Sequence, residues 1–263
     1  MNDAKYILEG YRGSIAHGLV INEGKFAIDD EDLFGIFIMP LDYYLNLDGY
    51  HLLHDVVEIK SGSKDIIEYE LRKFVYLLSK CNPNVLSFLW NKPEFYTTIT
   101  PCGQWLIENR KIFLSRHLLY KAYTGYAFGQ LHRITHQVYE GYMGEKRKKL
   151  VDEFGYDTKN AAHLLRLLKQ CIEVMQTGEL KVYRDEDRDF LLEVKKGTYT
   201  LEEIKNFAND LFEEAEKEYH RCKVIPPYND RVKIDALLAT IIKVGTGISD
   251  SSLYDQQLAW MKE

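Results

Sequence analysis

Cysteine is scarce and scattered in this 263-residue chain: Cys81, Cys102, Cys171 and Cys222 form no CxxC spacing. The usual zinc modules and a disulfide framework are therefore not expected, and the thiols read as buried apolar groups. No run of about 18 uncharged apolar residues occurs, so no membrane-spanning helix is expected. The opening MNDAKYILEGYRG lacks the charged, apolar, small-residue order of an export signal, which makes the cytoplasm the expected compartment. Positive charge is also short: 34 Lys and Arg stand against 40 Asp and Glu, a net charge of −6. A protein that coats nucleic acid needs a strong basic field, so that class is disfavoured. An enzyme that grips one nucleotide in a local basic pocket is not. Repeats and low-complexity tracts are absent too, and the length suits one large domain or two modest ones.

What is present divides in two. Lys5 to Glu9 (KYILE) is a short apolar strand candidate running into Gly10 and Gly13. Leu33 to Met39 (LFGIFIM) is an apolar run of strand length stopped by Pro40, and Asp65 to Glu70 (DIIEYE) is a third candidate strand. Leu71 to Leu78 takes helical spacing and ends before Asn82-Pro83. Long helices are expected at Arg116 to His136, Thr158 to Met175, Leu201 to Tyr219 and near Val232 to Val244. Asp157 or Thr158 is the expected N-cap of the second of these, with Gly178 just past its end. Gly245 to Ser252 is rich in Gly, Ser and Asp, and the C-terminal tail after it is expected to pack loosely or to frame a partner contact. Pro101, Cys102 and Gly103 interrupt the pattern. The expected organisation is α+β: a mixed α/β domain over residues 1–110 and an all-helical domain over 111–263, with any ligand site expected in the cleft between them.

The chemistry concentrates in two short motifs, Gly13-Ser14 with Gly18 and Asp30-Glu31-Asp32 leading into the apolar strand. Residues two apart on a strand share a face, so Asp30 and Asp32 present neighbouring carboxylates. Such carboxylates repel unless a cation joins them, and Mg²⁺ with oxygen ligands is the usual one beside phosphate. A small Gly13-Ser14 turn lets backbone N–H groups and a hydroxyl approach phosphate oxygens. In the helical half, Lys159, His163 and Arg166 fall at i, i+4 and i+7, a basic helix side able to hold a triphosphate. Tyr123, Tyr126 and Gln130 form a second cluster at helical spacing, suited to a base, although aromatic helix positions are more often core. The concentrated basic run is Glu145 to Lys149 (EKRKK), which reads as a solvated loop or helix face, with contact to an RNA or protein phosphate as the alternative.

The order of these pieces resembles the predicted nucleotidyltransferases of the DNA polymerase β superfamily that include the RNA-ligase-associated group. Gly13 to Leu19 matches its Gly-Ser-x-Ala-x-Gly-Leu turn, and Asp30 to Ile36 its Asp-x-Asp-Leu-x-Gly-hydrophobic strand. Asp65 and Tyr69 to Phe74, Asn82 to Leu86, Gly125 to Leu131 and Lys159 to Leu167 match four further segments. The chain departs from the pattern at Ser87, where an acid is expected, and at Asp29, where the family often has Ser.

The resemblance implies a polymerase-β-like domain followed by helices, and a third metal-binding acid on a neighbouring strand. Asp65 is the best match for that acid, with Glu68 or Glu70, which share one strand face, as substitutes. The implied reaction moves a nucleoside monophosphate from an NTP, ATP first among them, to an acceptor hydroxyl and releases pyrophosphate. Asp30, Asp32 and Asp65 would carry two Mg²⁺ ions, with Mn²⁺ as a substitute. Gly13, Ser14, Lys159, His163, Arg166, Tyr123 and Gln130 would bind the nucleotide. The acceptor is left open between an RNA end, a protein and a small molecule. The alternative is a catalytically silent nucleotide sensor, or a toxin-neutralising partner, on the same fold.

Overall fold

A computed structural model describes residues 3–21, 31–46, 56–61, 64–136 and 145–262. Strand β1 (Lys5–Tyr11) leads to a one-turn helix α1 (Gly13–Ala16), then β2 (Glu31–Ile38), α2 (Leu41–Leu45), β3 (Val56–Ser61), β4 (Lys64–Glu70) and α3 (Leu71–Ser79). Next come α4 (Pro83–Leu86), the edge strand β5 (Tyr96–Ile99) and α5 (Pro101–Glu108). Helices α6 (Arg116–His136), α7 (Glu145–Phe154), α8 (Thr158–Thr177), α9 (Arg188–Lys195) and α10 (Leu201–Arg221) precede α11 (Arg231–Gly245) and α12 (Ser252–Lys262). The fold is α+β, a five-stranded mixed sheet followed by a helical region.

Contacts group the chain into two units: Met1–His17, Asp29–Leu114 and Asn229–Glu263 in one, Gly18–Ile28 and Ser115–Tyr228 in the other. This grouping differs from the consecutive stretches 1–110 and 111–263. The break falls after Leu114, and the last segment returns to the sheet unit.

The sheet order is β3-β4-β2-β1-β5. Strand β2 is central and is buried from Phe34 through Ile38, as a strand covered on both faces must be. On one face Phe34 packs against Tyr69, Phe74 and Phe88, with ring centroids 5.2, 5.9 and 4.6 Å away. On the other, Phe37 meets Tyr6, Met39 and Tyr43. Pairing is parallel between β2 and β4 and antiparallel elsewhere. Pro101, read as an interruption, instead starts α5: Thr100 Oγ1 accepts from Gly103 N, and proline in the first turn needs no N–H partner. The C-terminal tail is anchored at Tyr254, which is buried. Tyr254 on α12 stacks on Trp105 at 4.2 Å and accepts a hydrogen bond from Asn109 Nδ2 at 2.8 Å. All four thiols are buried, and burial pushes Cys102 up to about 11 and Cys171 up to about 12, so both stay protonated.

In the helical unit, Leu119, Tyr123, Ala127, Gln130 and Ile134 line the buried side of α6. Helix α8 starts at the Asp157 cap, whose side chain accepts from Asn160 N, and ends at Gly178 in the left-handed region. Gly18 and Leu19 are tied to this unit through their carbonyls, which accept from Arg188 Nε and Lys195 Nζ at 2.7 Å each. The polar centre is Arg184, 3% exposed, whose guanidinium donates to Glu173 and Asp187 over 2.6–2.8 Å. Burial opposes ionisation of Asp187. The hydrogen bonds and charge of Arg184, with Lys169 at 3.5 Å, outweigh it and hold the carboxyl below its ordinary 3.8. A depressed carboxyl stabilises the fold above pH 3.8 and loses that contribution as pH falls through its folded value. Arg184→Met strands two carboxylates and is expected to cost about 3–5 kcal/mol. Urea titration at pH 7 reads the loss, and repeating it at acid pH shows the Asp187 share of the pH dependence gone. An unchanged midpoint at pH 7 would show that the clamp is not holding the unit.

Candidate active site

Neighbouring strands bring Arg12, Asp32 and Asp65 to one corner of the sheet. Strand β1 ends as Tyr11 pairs with Leu33, so the next residue, Arg12, stands opposite Asp32 and donates its N–H to the Asp32 carbonyl at 2.9 Å. Strand β2 runs parallel to β4 with Asp32 directly paired to Asp65. Paired residues on adjacent strands point to the same face, about 4.8 Å apart. The Arg12 guanidinium reaches both carboxylates: Nη2 lies 3.3 Å from Asp65 Oδ2 and 3.8 Å from Asp32 Oδ1, while Nε donates to the Leu33 carbonyl at 3.2 Å. Arg12 and Asp32 are each 27% exposed and Asp65 37%, so the corner is open to solvent.

Gly13 closes the corner. Its φ is +64°, and a Cβ built there would fall on the Asp32 carboxylate. The His17 N–H donates to the Gly13 carbonyl at 3.1 Å, which folds the segment into α1 and places Ser14 in that turn. The turn expected from Gly13-Ser14 is therefore present, beside the carboxylates. Arg12 was not singled out in the sequence. Its signal is position, at the end of a strand and immediately before the Gly-Ser pair, two residues past Gly10 and thus on the same face.

Asp30 lies outside the described residues; β2 begins at Glu31. Glu68 and Glu70, offered as substitutes for Asp65, face the other way, because they stand three and five residues beyond it on an unbroken strand. Glu68 accepts from Tyr6 Oη at 2.8 Å. Glu70 is 1% exposed, caps α3 by accepting from Arg72 N and Lys73 N, and accepts from Tyr44 Oη at 2.8 Å. Burial pushes its carboxyl up despite those bonds. Both glutamates are structural, which leaves Asp65 as the β4 carboxylate sharing a face with Asp32.

Among the described residues no group of three His, Cys, Asp or Glu side chains is placed to hold a metal ion. The pair Asp32 and Asp65 nevertheless fits a hard divalent cation: its donors are all oxygen, they stand side by side on paired residues, and one positive group already reaches both.

The helical candidates separate on inspection. Lys159 is exposed and His163 half-buried, but Arg166 is buried and donates from Nη1 to Gln170 Oε1 at 2.8 Å. Burial lowers the Arg166 guanidinium to about 10. The three do not form the expected open basic side, because α8 is packed by α6, α9 and α10 around much of its circumference. Tyr123 is fully buried and Gln130 7% exposed, so both are core side chains of α6 rather than an open base platform. Tyr126 and Phe128, at 38% and 63% exposure, are the large hydrophobic rings α6 leaves exposed. In α7, Lys148 and Lys149 are exposed, in keeping with a solvated face.

A sequence profile of the RNA repair pathway DNA polymerase beta family matches residues 2–239. The chain belongs to this family. The match runs from before β1 into α11, so it takes in the carboxylate corner and the helical region alike. The family's name suggests a nucleotidyltransferase-type role in RNA repair. A shorter stretch is 33% identical over 73 residues to an uncharacterized 38.9 kDa protein from the nrdC-mobD intergenic region of Enterobacteria phage T4. That stretch is 28% of this chain and 21% of the phage protein, so the likeness spans about a fifth of that relative. No solved structure gives a significant match. Among the described residues, no helix of this family member is long and apolar enough to cross a membrane.

Proposed function

We propose that the protein transfers a nucleoside monophosphate from an NTP, ATP in the first instance, to an acceptor hydroxyl at the Asp32–Asp65 corner. The acceptor oxygen bonds to the α-phosphorus, the bond to the β-phosphate oxygen breaks, pyrophosphate leaves, and the acceptor proton is lost. The observation that carries this reading is the register that sets Asp32 directly against Asp65 beside the Gly13 turn. Asp32 and Asp65, with Asp30 as the expected third acid, would hold Mg²⁺, two ions in the usual arrangement, or Mn²⁺. When bound, such ions activate the acceptor and neutralise the leaving pyrophosphate. The chain's own part is positioning. Gly13 keeps backbone close to the carboxylates, and Ser14 with the turn amides lies where phosphate oxygens would sit. Arg12 supplies a planar donor at the same corner. An RNA end is the acceptor that the family's setting favours; a protein or a small molecule is the alternative.

The test is incubation of the full chain with each NTP labelled at the α-phosphorus, with Mg²⁺, with and without RNA. Label retained on an acceptor, with equal pyrophosphate release, is the expected result. Transfer of label from a γ-labelled NTP in a parallel reaction, with the α-label left on the nucleoside diphosphate, would overturn the reading. A silent nucleotide sensor is favoured by one observation, the guanidinium already standing beside both carboxylates and offsetting part of their charge. Nucleotide binding by calorimetry with no pyrophosphate released would support it.

A further inference from the structure

Two buried or half-buried arginines in this chain each meet a pair of carboxylates, and their geometries differ in kind. Arg184 is 3% exposed and clamps Glu173 and Asp187 through bonds of 2.6–2.8 Å. Those are the lengths of strong charge-assisted bonds in a fixed element. Arg12 is 27% exposed, reaches its carboxylates with the one nitrogen Nη2, and stands off at 3.3 and 3.8 Å. Contacts that long and that wet are weak and readily exchanged. The strand pairing is held separately, by the Arg12 backbone N–H on the Asp32 carbonyl at 2.9 Å. The guanidinium can therefore turn away from the carboxylates, giving up these contacts and its 3.2 Å Nε bond to the Leu33 carbonyl, without disturbing that pairing.

We infer that Arg12 is an exchangeable counter-cation: it holds Asp32 and Asp65 together before the substrate arrives, then yields them to the metal and turns to the nucleotide phosphates. The inference rests on the nucleotidyltransferase reading in taking a metal–nucleotide as the occupant. Without Arg12, two carboxylates on paired residues repel each other. With a divalent ion between them, the guanidinium meets a like charge and is driven toward the incoming triphosphate, an anion its planar fork suits. Free metal then binds weakly, and metal with nucleotide binds strongly, because each removes an obstacle to the other.

The experiment measures binding to the full chain, with no turnover required. Mn²⁺ alone is titrated by electron paramagnetic resonance, and α,β-methylene ATP with Mg²⁺ by calorimetry, for wild type, Arg12→Gln and Arg12→Lys. Arg12→Gln is expected to bind Mn²⁺ about 5–10-fold more tightly than wild type and the ATP analogue about 5–10-fold more weakly. Arg12→Lys keeps the charge and is expected to restore wild-type Mn²⁺ affinity while leaving analogue binding weakened, since lysine lacks the fork. Should Arg12→Gln not fold, the wild type still decides: saturating analogue must tighten its Mn²⁺ affinity, and by less in Arg12→Lys. Unchanged Mn²⁺ affinity in Arg12→Gln, or equal analogue affinity in all three proteins, overturns the inference. A failure of the nucleotidyltransferase reading shows differently, as absent pyrophosphate release while this order of Mn²⁺ affinities stands.

Discussion

Asp32→Asn is expected to reduce pyrophosphate release by about a thousandfold or more, equivalent to about 4 kcal/mol of lost transition-state stabilisation. Stability should hardly move. Asparagine has nearly the shape of aspartate, and the Asp32 carbonyl that receives the Arg12 N–H is backbone and survives the change. The side chain is 27% exposed, so no deeply buried charge is stranded. Two electrostatic effects oppose each other: repulsion from Asp65 is relieved, and attraction to Arg12 is lost. A net change within about 0.5 kcal/mol follows for such a site. A thermal melt together with pyrophosphate release separates the two quantities. Asp65→Asn should behave alike, because the pairing makes the two carboxylates equivalent partners. Glu68→Gln, on the opposite face, should alter the Tyr6 hydrogen bond without the catalytic loss. An Asp32→Asn protein with full turnover would remove this corner from the reaction.

That contrast between Asp65 and Glu68 marks where legibility stopped. The parity of β4 showed that Glu68 and Glu70 share a face, but not which face carries the site. That depends on the register with β2, a non-local fact. The apolar runs KYILE and LFGIFIM, bounded by glycine and proline, read correctly as strands because their boundaries are local. Strand β5 and helix α5 were hidden by Pro101 and Gly103, whose roles depend on neighbours. Proline opens the helix, and Gly103 lies so close to β1 that a Cβ would strike the Ile7 carbonyl. The return of Asn229–Glu263 to the sheet unit has no local signature at all. On α8 the spacing of Lys159, His163 and Arg166 suggested one side, and helical period alone cannot tell an open side from one covered by a second or third helix. Arg12 was overlooked because its significance lies in two carboxylates, one 20 and one 53 residues along the chain, that only the sheet brings together.

Gly13→Ala carries the second large effect, and it divides into two parts. Backbone strain is the first. At φ +64° an L side chain pays roughly 1–2 kcal/mol relative to glycine. The second is collision: the new methyl lands on the Asp32 carboxylate, which must swing away from Asp65. A displacement of about 1 Å in a group that positions the reaction lowers rates by about 100-fold. Gly155→Ala isolates the first part. Its φ is +76°, and a Cβ there meets nothing within 4 Å, so it bears the strain without a collision. Both variants are expected to lose similar stability in urea titration, a few kcal/mol at most, while Gly13→Ala alone loses about 100-fold in turnover and in Mn²⁺ affinity. Equal turnover in the two variants would mean that the approach of Gly13 to Asp32 shapes the fold and not the chemistry. Loss of activity in Gly13→Ala with Mn²⁺ binding intact would shift the role of this turn from the carboxylates to the phosphates.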